Sequence, residues 1–205
     1  MTGAHLWWYA ARAAGIVAWA LLAASVTWGL ALSTHVLGRK PRPAWLLDLH
    51  RALGGLAVIF TAVHVVTIML DSYVHFGLAE ALVPLASTWH PVAVAWGSAA
   101  FYLLAAVELT SLARRKLPNR LWRRVHFASF PLFVSATLHG LSAGTDTRTA
   151  VAIVATVAML VPVIGLCVVR LQRRGSTSRS KVPGFERPAF TGDAARDRAA
   201  LARPR

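Results

Sequence analysis

The chain has 205 residues, 56% of them hydrophobic, and carries 22 Lys and Arg against 8 Asp and Glu for a formal net charge of +14. So apolar a composition excludes an ordinary soluble domain and fits a small polytopic membrane protein. The charge does not mark a nucleic-acid binder, because the basic residues sit between apolar runs and in the C-terminal tail, and the single cysteine, Cys167, allows no intrachain disulfide and no covalent CxxCH attachment of a prosthetic group.

Five segments reach spanning length. The first runs from about Trp8 to Ser33. It is too long for a signal-peptide core and has no A-x-A cleavage site, so it is expected to be retained. The second covers Leu47 to Leu70. The stretch from Asp71 to His90 is long for a connector and reads as a short interfacial amphipathic helix, with Tyr73 and Trp89 at headgroup depth. The third span, Pro91 to Leu112, opens on a proline, which suits a first turn where the N–H is not needed. The fourth covers Trp122 to Ala143 and the fifth Thr149 to Leu171. Residues 172–205 are rich in Arg, Ser, Gly, Pro and Ala and cannot bury a core. The predicted architecture is therefore an all-α integral membrane bundle of five helices over residues 1–171, followed by a basic, disordered tail drawn to anionic lipid. No internal repeat is evident.

Basic residues set the orientation. Arg39, Lys40 and Arg42 lie between spans one and two, with Arg51 just inside span two, and six more from Arg114 to Arg124 lie between spans three and four. Residues 71–90 hold no Lys or Arg, and the link before span five holds only Arg148. Positive loops stay cytoplasmic, so the N-terminus is expected outside and the C-terminus inside, in a multi-pass protein of the cell membrane. Arg12 is the exception and is read as snorkelling outward from the first turn of span one.

The histidines carry the chemistry. His50 and His64 lie 14 positions apart in span two, and His126 and His139 lie 13 apart in span four. At 1.5 Å per residue each pair spans roughly 20 Å, which sets the four imidazoles at two matched depths, His50 and His126 inner, His64 and His139 outer. Membrane histidines are uncommon and usually functional. Two facing imidazoles per level fit a haem iron held from both sides, which leaves no open coordination position and suits electron transfer. On a straight helix, 14 residues fall roughly 40° short of the same face and 13 fall roughly 140° short. Pro131, between His126 and His139, can kink or unwind the fourth span and correct this. The same histidines also fit a small transporter of metal ions, or a protein that holds haem for assembly.

Other residues admit two readings each. Gly54 and Gly55 can clear the backbone for a porphyrin plane or for close helix packing. Arg51, Arg123 and Arg124 can pair with haem propionates or with lipid headgroups. Glu108, about a turn inside span three, needs a partner such as Arg51, or handles protons. Asp71, His75 and His90 on the outer side can bind a metal or an acceptor, or be merely solvated.

The pair H-x13-H in span two, the pair H-x12-H in span four and the LWRRVHF lead to the latter resemble the ferric reductase-like transmembrane domain family. The likeness covers roughly residues 10–170. It implies two non-covalent b-type haems ligated by His50, His64, His126 and His139, electrons crossing from the cytoplasmic to the outer face, and a role as the membrane subunit of an oxidoreductase. Members usually continue into a flavin and nicotinamide domain, and nothing after Leu171 here has a Gly-rich phosphate loop. The expected donor is thus a separate reductase protein or a membrane quinol, and the expected acceptor lies on the outer face. The family's usual six spans are five here.

Overall fold

The computed structural model describes residues 3–34, 36, 44–71, 76–145 and 147–179, and the chain divides into two units, Met1–Arg170 and Leu171–Arg205. The basic loop residues Arg39, Lys40 and Arg42, together with Tyr73, His75 and the tail from residue 180, lie outside the described residues. Every regular element among the described residues is helical: α1 (Gly3–Thr34), α2 (Ala44–Leu70), the short α3 (Leu78–Leu82), α4 (Pro91–Leu112), a 3-10 turn (Arg114–Lys116), α5 (Asn119–His126), α6 (Ser129–Ala143) and α7 (Ala150–Arg179). Long apolar runs adopt helices because a helix satisfies its own backbone where no water can. Hydroxyls inside them do the same locally: Thr61, Thr67 and Thr137 each donate to the carbonyl four residues back, at 2.7 Å.

Among the described residues four helices are long and apolar enough to cross a membrane, α1, α2, α4 and α7, and the protein is a multi-pass membrane protein. The fourth predicted span differs from expectation, being broken into α5 and α6 by a turn at Phe127–Ala128. Pro131 accounts for the break. Lacking an N–H, it cannot donate to the carbonyl of Phe127, which accepts from Phe130 instead at 3.2 Å, while Leu132 picks up the regular ladder with Ala128 at 2.9 Å. Pro131 thereby occupies the first turn of a new helix, where a missing N–H costs nothing. A continuous helix would have left His126 roughly 140° from His139; the turn re-aims it.

The helices pack as two hairpins, α1 with α2 and α4 with α6, joined through α1 against α6. Small residues make the close approaches, with Ala11, Ala14, Ala18 and Ala23 all buried along α1. Between the hairpins lies an apolar cluster of Leu22, Val26 and Leu30 from α1, Ala100 and Leu104 from α4, and Leu132 and Phe133 from α6. Trp19 stacks on Phe133 at 6.5 Å and donates its Nε1–H to Thr137 at 3.0 Å, so its one polar atom is satisfied. α7 adds only Val163 to the buried set, and its Val151, Val154, Val157 and Val161 face outward as lipid-facing side chains would.

Two prolines make a paired test. Alanine at 131 can donate to Phe127, fuse α5 with α6 and swing His126 away from its neighbours. Pro131→Ala is expected to lower the thermal unfolding midpoint of the purified protein in detergent by the few degrees that ~1–2 kcal/mol represents. Pro162 sits inside an unbroken α7, so Pro162→Ala only adds a backbone donor and is expected to hold or raise the midpoint. A midpoint raised by Pro131→Ala would show that the break is dispensable.

Candidate functional site

The structure brings the four histidines together as two pairs. The ring centres of His50 and His126 are 6.0 Å apart at 80°, and those of His64 and His139 are 6.1 Å apart at 72°. All four rings are half-buried. Two metal–nitrogen bonds of about 2 Å, in line with two imidazoles of about 1.1 Å from centre to nitrogen, span about 6 Å, so both separations fit one metal held axially.

The other ring nitrogen of each histidine is already taken. His64 Nδ1 lies 2.7 Å from the Ala11 carbonyl oxygen, His139 Nδ1 lies 2.8 Å from that of Ala93, and His50 Nδ1 lies 3.1 Å from that of Ser25. A carbonyl only accepts, so Nδ1 carries the hydrogen and Nε2 keeps the lone pair that a metal needs. His50 also lies 3.3 Å from the Ser25 hydroxyl, and His126 has only a hydroxyl, that of Ser111 at 3.5 Å.

Glycines make these contacts sterically feasible. A Cβ on Gly15 would stand 2.9 Å from His64 Nδ1, one on Gly29 would stand 3.1 Å from His50 Cε1, and one on Gly97 would stand 2.8 Å from His139 Nδ1. Each glycine lies four residues after the carbonyl that its histidine uses. The bare backbone lets the imidazole lie across the helix and share a carbonyl already bound in the ladder. The fourth position in this pattern is Ser111, 14 residues after Gly97 just as Gly29 is 14 after Gly15. Its side chain occupies the space left open at the other three, and there the imidazole meets a hydroxyl rather than a carbonyl. Hence α1 with α2, and α4 with α5 and α6, follow one arrangement, a repeat that the apolar pattern conceals.

His64 and His139 line a cavity of about 570 Å³ walled by α1, α2, α4, α6 and α7, a volume within the range of small-molecule and cofactor sites. Around the inner pair, Trp122 stacks on His126 at 5.0 Å and Arg114 lies 4.3 Å from the Trp122 ring centre. The Trp122 Nε1 is buried and has no partner.

The remaining predicted residues fall out as follows. Gly54 abuts Glu108, whose Oε1 would be 2.6 Å from an added Cβ, and nothing lies within 4 Å of such a Cβ on Gly55. Arg51 pairs with the neighbouring Asp48 at 3.1 Å on an exposed surface, not with Glu108, and Arg123 and Arg124 stand exposed on α5. The outer-face group does not gather: Asp71 is buried in the cavity wall, His90 is exposed at the start of α4, and His75 lies outside the described residues. The sequence reading missed Gly15, Gly29, Gly97, Ser25 and Ser111. The signal was present, since G-x13-G in α1 repeats the 14-residue interval of His50 and His64, and G-x13-S in α4 falls within one residue of the 13 between His126 and His139.

A family model described as ferric reductase like transmembrane component matches residues 14–137, more than half of the chain. The match begins beside Gly15, includes His50, His64 and His126, and stops two residues before His139. No curated protein and no solved structure matches the chain.

The glycine seats predict a graded response. Gly97→Val drives a branched side chain into the His139 ring and is expected to cost about 1–3 kcal/mol, seen as a lower unfolding midpoint in detergent. Gly55→Val meets nothing and is expected to change the midpoint little. Equal losses at both positions would show that the seat at Gly97 has no special role.

Proposed function

We propose that this chain, which belongs to the ferric reductase-like transmembrane component family, carries electrons across the membrane through two non-covalent b-type haems, one between His50 and His126 and one between His64 and His139. The observation that carries the reading is the pair of matched imidazole clamps, 6.0 and 6.1 Å between ring centres, in which Nδ1 of His50, His64 and His139 lies against a backbone carbonyl and leaves Nε2 as the nitrogen with a lone pair for a metal. Haem supplies one-electron chemistry at each level. The chain's own part is to fix the ring orientation through Ala11, Ser25, Ala93 and Ser111, to keep each imidazole neutral at Nε2, and to hold the two levels roughly 20 Å apart along the helices, the reason for two centres in series.

The donor set favours haem over a bare metal ion. A transported or structural metal ion asks for three or four protein ligands, whereas each level here offers two imidazoles. Among the described residues no group of three or more His, Cys, Asp or Glu could hold a metal ion. A macrocycle supplies the equatorial ligands that the protein does not.

Topology gives the direction. In this reading α5 and α6 together make a fifth crossing, the N-terminus is outside and the basic loops are cytoplasmic. Electrons then enter at the inner pair from a separate reductase protein or a membrane quinol and leave from the outer pair to an acceptor on the outer face. Exposed Arg51, Arg123 and Arg124 stand near the inner end, where they suit an acidic donor surface or a carboxylate edge. The basic composition of residues 172–205 suits attraction to anionic lipid.

Purified from haem-replete cells, the chain is expected to show a low-spin b-type spectrum and two haems per chain. His64→Ala or His139→Ala should remove one haem and leave the other; His50→Ala or His126→Ala should remove the complementary one. In sealed vesicles of known orientation, an impermeant acceptor outside should oxidise haem reduced from within, and either outer substitution should abolish the transfer. A colourless preparation that binds zinc or copper instead would establish the transporter reading. Full transfer rates after loss of an outer histidine would exclude a route across the membrane.

A further inference from the structure

Arg12 is the one basic side chain, among the described residues, in the wall of the cavity that holds His64 and His139. From sequence it reads as a charge near the start of a span, reaching for water. The structure turns it into the protein. It is half-buried, its Cζ lies 4.4 Å from the Trp8 ring centre, and its Nη1 donates to the hydroxyl of Thr145 in the connection after α6. Trp8 and Thr145 line the same cavity. A guanidinium held between an indole face and a hydroxyl from a different helix connection is oriented by both.

Its place in the helix is as informative. Ala11, the residue before it, gives the carbonyl that accepts from His64, and Gly15, three residues later, carries the His64 ring. Arg12 therefore projects from the same stretch of α1 that seats the outer imidazole. In the second hairpin, where Ala93 and Gly97 play the parts of Ala11 and Gly15, the equivalent of Arg12 is the apolar Val94. The cation is a feature of one side of the cavity, without a counterpart across the repeat.

We propose that Arg12 binds the carboxylate edge of the group clamped by His64 and His139, and that its charge raises the reduction potential of that outer centre. The proposal rests on the two-haem reading. A b-type haem carries two propionates, and a guanidinium fork matches a carboxylate with two parallel N–H···O bonds. Reduction of ferric to ferrous haem takes up one electron and adds one negative charge, so a fixed cation beside the centre favours the reduced form, strongly so in a low-dielectric wall. Arg12 thus holds the group in one orientation and places the outer centre at a higher potential than it would have without the guanidinium.

The test uses the full chain in detergent, with haem counted per chain and the reduced band followed in a potentiometric titration. The outer component is identified as the one missing in His64→Ala. Arg12→Gln is expected to shift that component alone, by at least tenfold in its oxidised-to-reduced ratio at fixed potential, about 59 mV downward for one electron. Selective loss of the outer haem would support the proposal equally. Arg12→Lys, which keeps the charge, is expected to retain the outer haem and most of its potential. Two bound haems with both components unmoved in Arg12→Gln would overturn the proposal and leave the two-haem reading intact. So would a lower unfolding midpoint without any shift, which would make Arg12 a structural partner of the wall, or a shift confined to the inner component. A wild-type chain that binds no haem would fail the reading beneath it, and the proposal with it.

Discussion

An imidazole inside a bilayer has two nitrogens to satisfy and no water to satisfy them. If Nε2 is reserved for a metal, Nδ1 must find an acceptor in protein, and in a helical bundle nearly every acceptor is already bound in a backbone ladder. The structure meets this constraint by sharing. Helical carbonyls of Ala11, Ser25 and Ala93 take a second donor, and a glycine one turn on gives the ring room to reach them. From that requirement follow the hairpin pairing, the close approach of α1 to α2 and of α4 to α6, and the depth of each histidine. The histidines cannot move along their own helices without leaving their seats on the neighbouring ones.

The fourth seat shows what happens when the rule is bent. Three departures coincide there: Ser111 in place of glycine, a histidine interval of 13 instead of 14, and a helix broken just after His126. They are aspects of one accommodation. A side chain at 111 denies the imidazole its place across α4, the break behind His126 lets the ring approach from another angle, and the serine hydroxyl replaces the carbonyl as its partner at 3.5 Å. Stacking of Trp122 on His126, with Arg114 over the indole, braces a ring that the backbone holds less firmly. The inner level is thus built partly from side chains, the outer level from backbone.

Much of this was legible in the sequence, and for identifiable reasons. Long apolar runs gave the helices, because in lipid few other structures satisfy the backbone. The two histidine intervals gave two levels, because helical rise converts residue number into depth. Pro131 marked the break because a missing N–H acts locally. The glycines were harder. Gly54 and Gly55 stood next to His50 in sequence, yet Gly54 faces Glu108, while the seat of His50 is Gly29 on another helix. A glycine's role depends on what crosses it, and that is a tertiary fact. The partner of Arg12 was hidden for the same cause: its distance from the N-terminus is local, but the hydroxyl of Thr145 that it meets comes from 133 residues away.

α7 stands apart from this machinery. The residues whose carbonyl or hydroxyl meets an imidazole Nδ1 lie between Ala11 and Ser111, and the last histidine is His139. α7 contributes Val151, Ala152, Ala155 and Thr156 to the wall of the cavity beside His64 and His139 but neither a histidine nor a seat. Wall and seats are thus separable parts of the fold: a change of side chain on α7 reshapes the chamber without touching what orients the imidazoles.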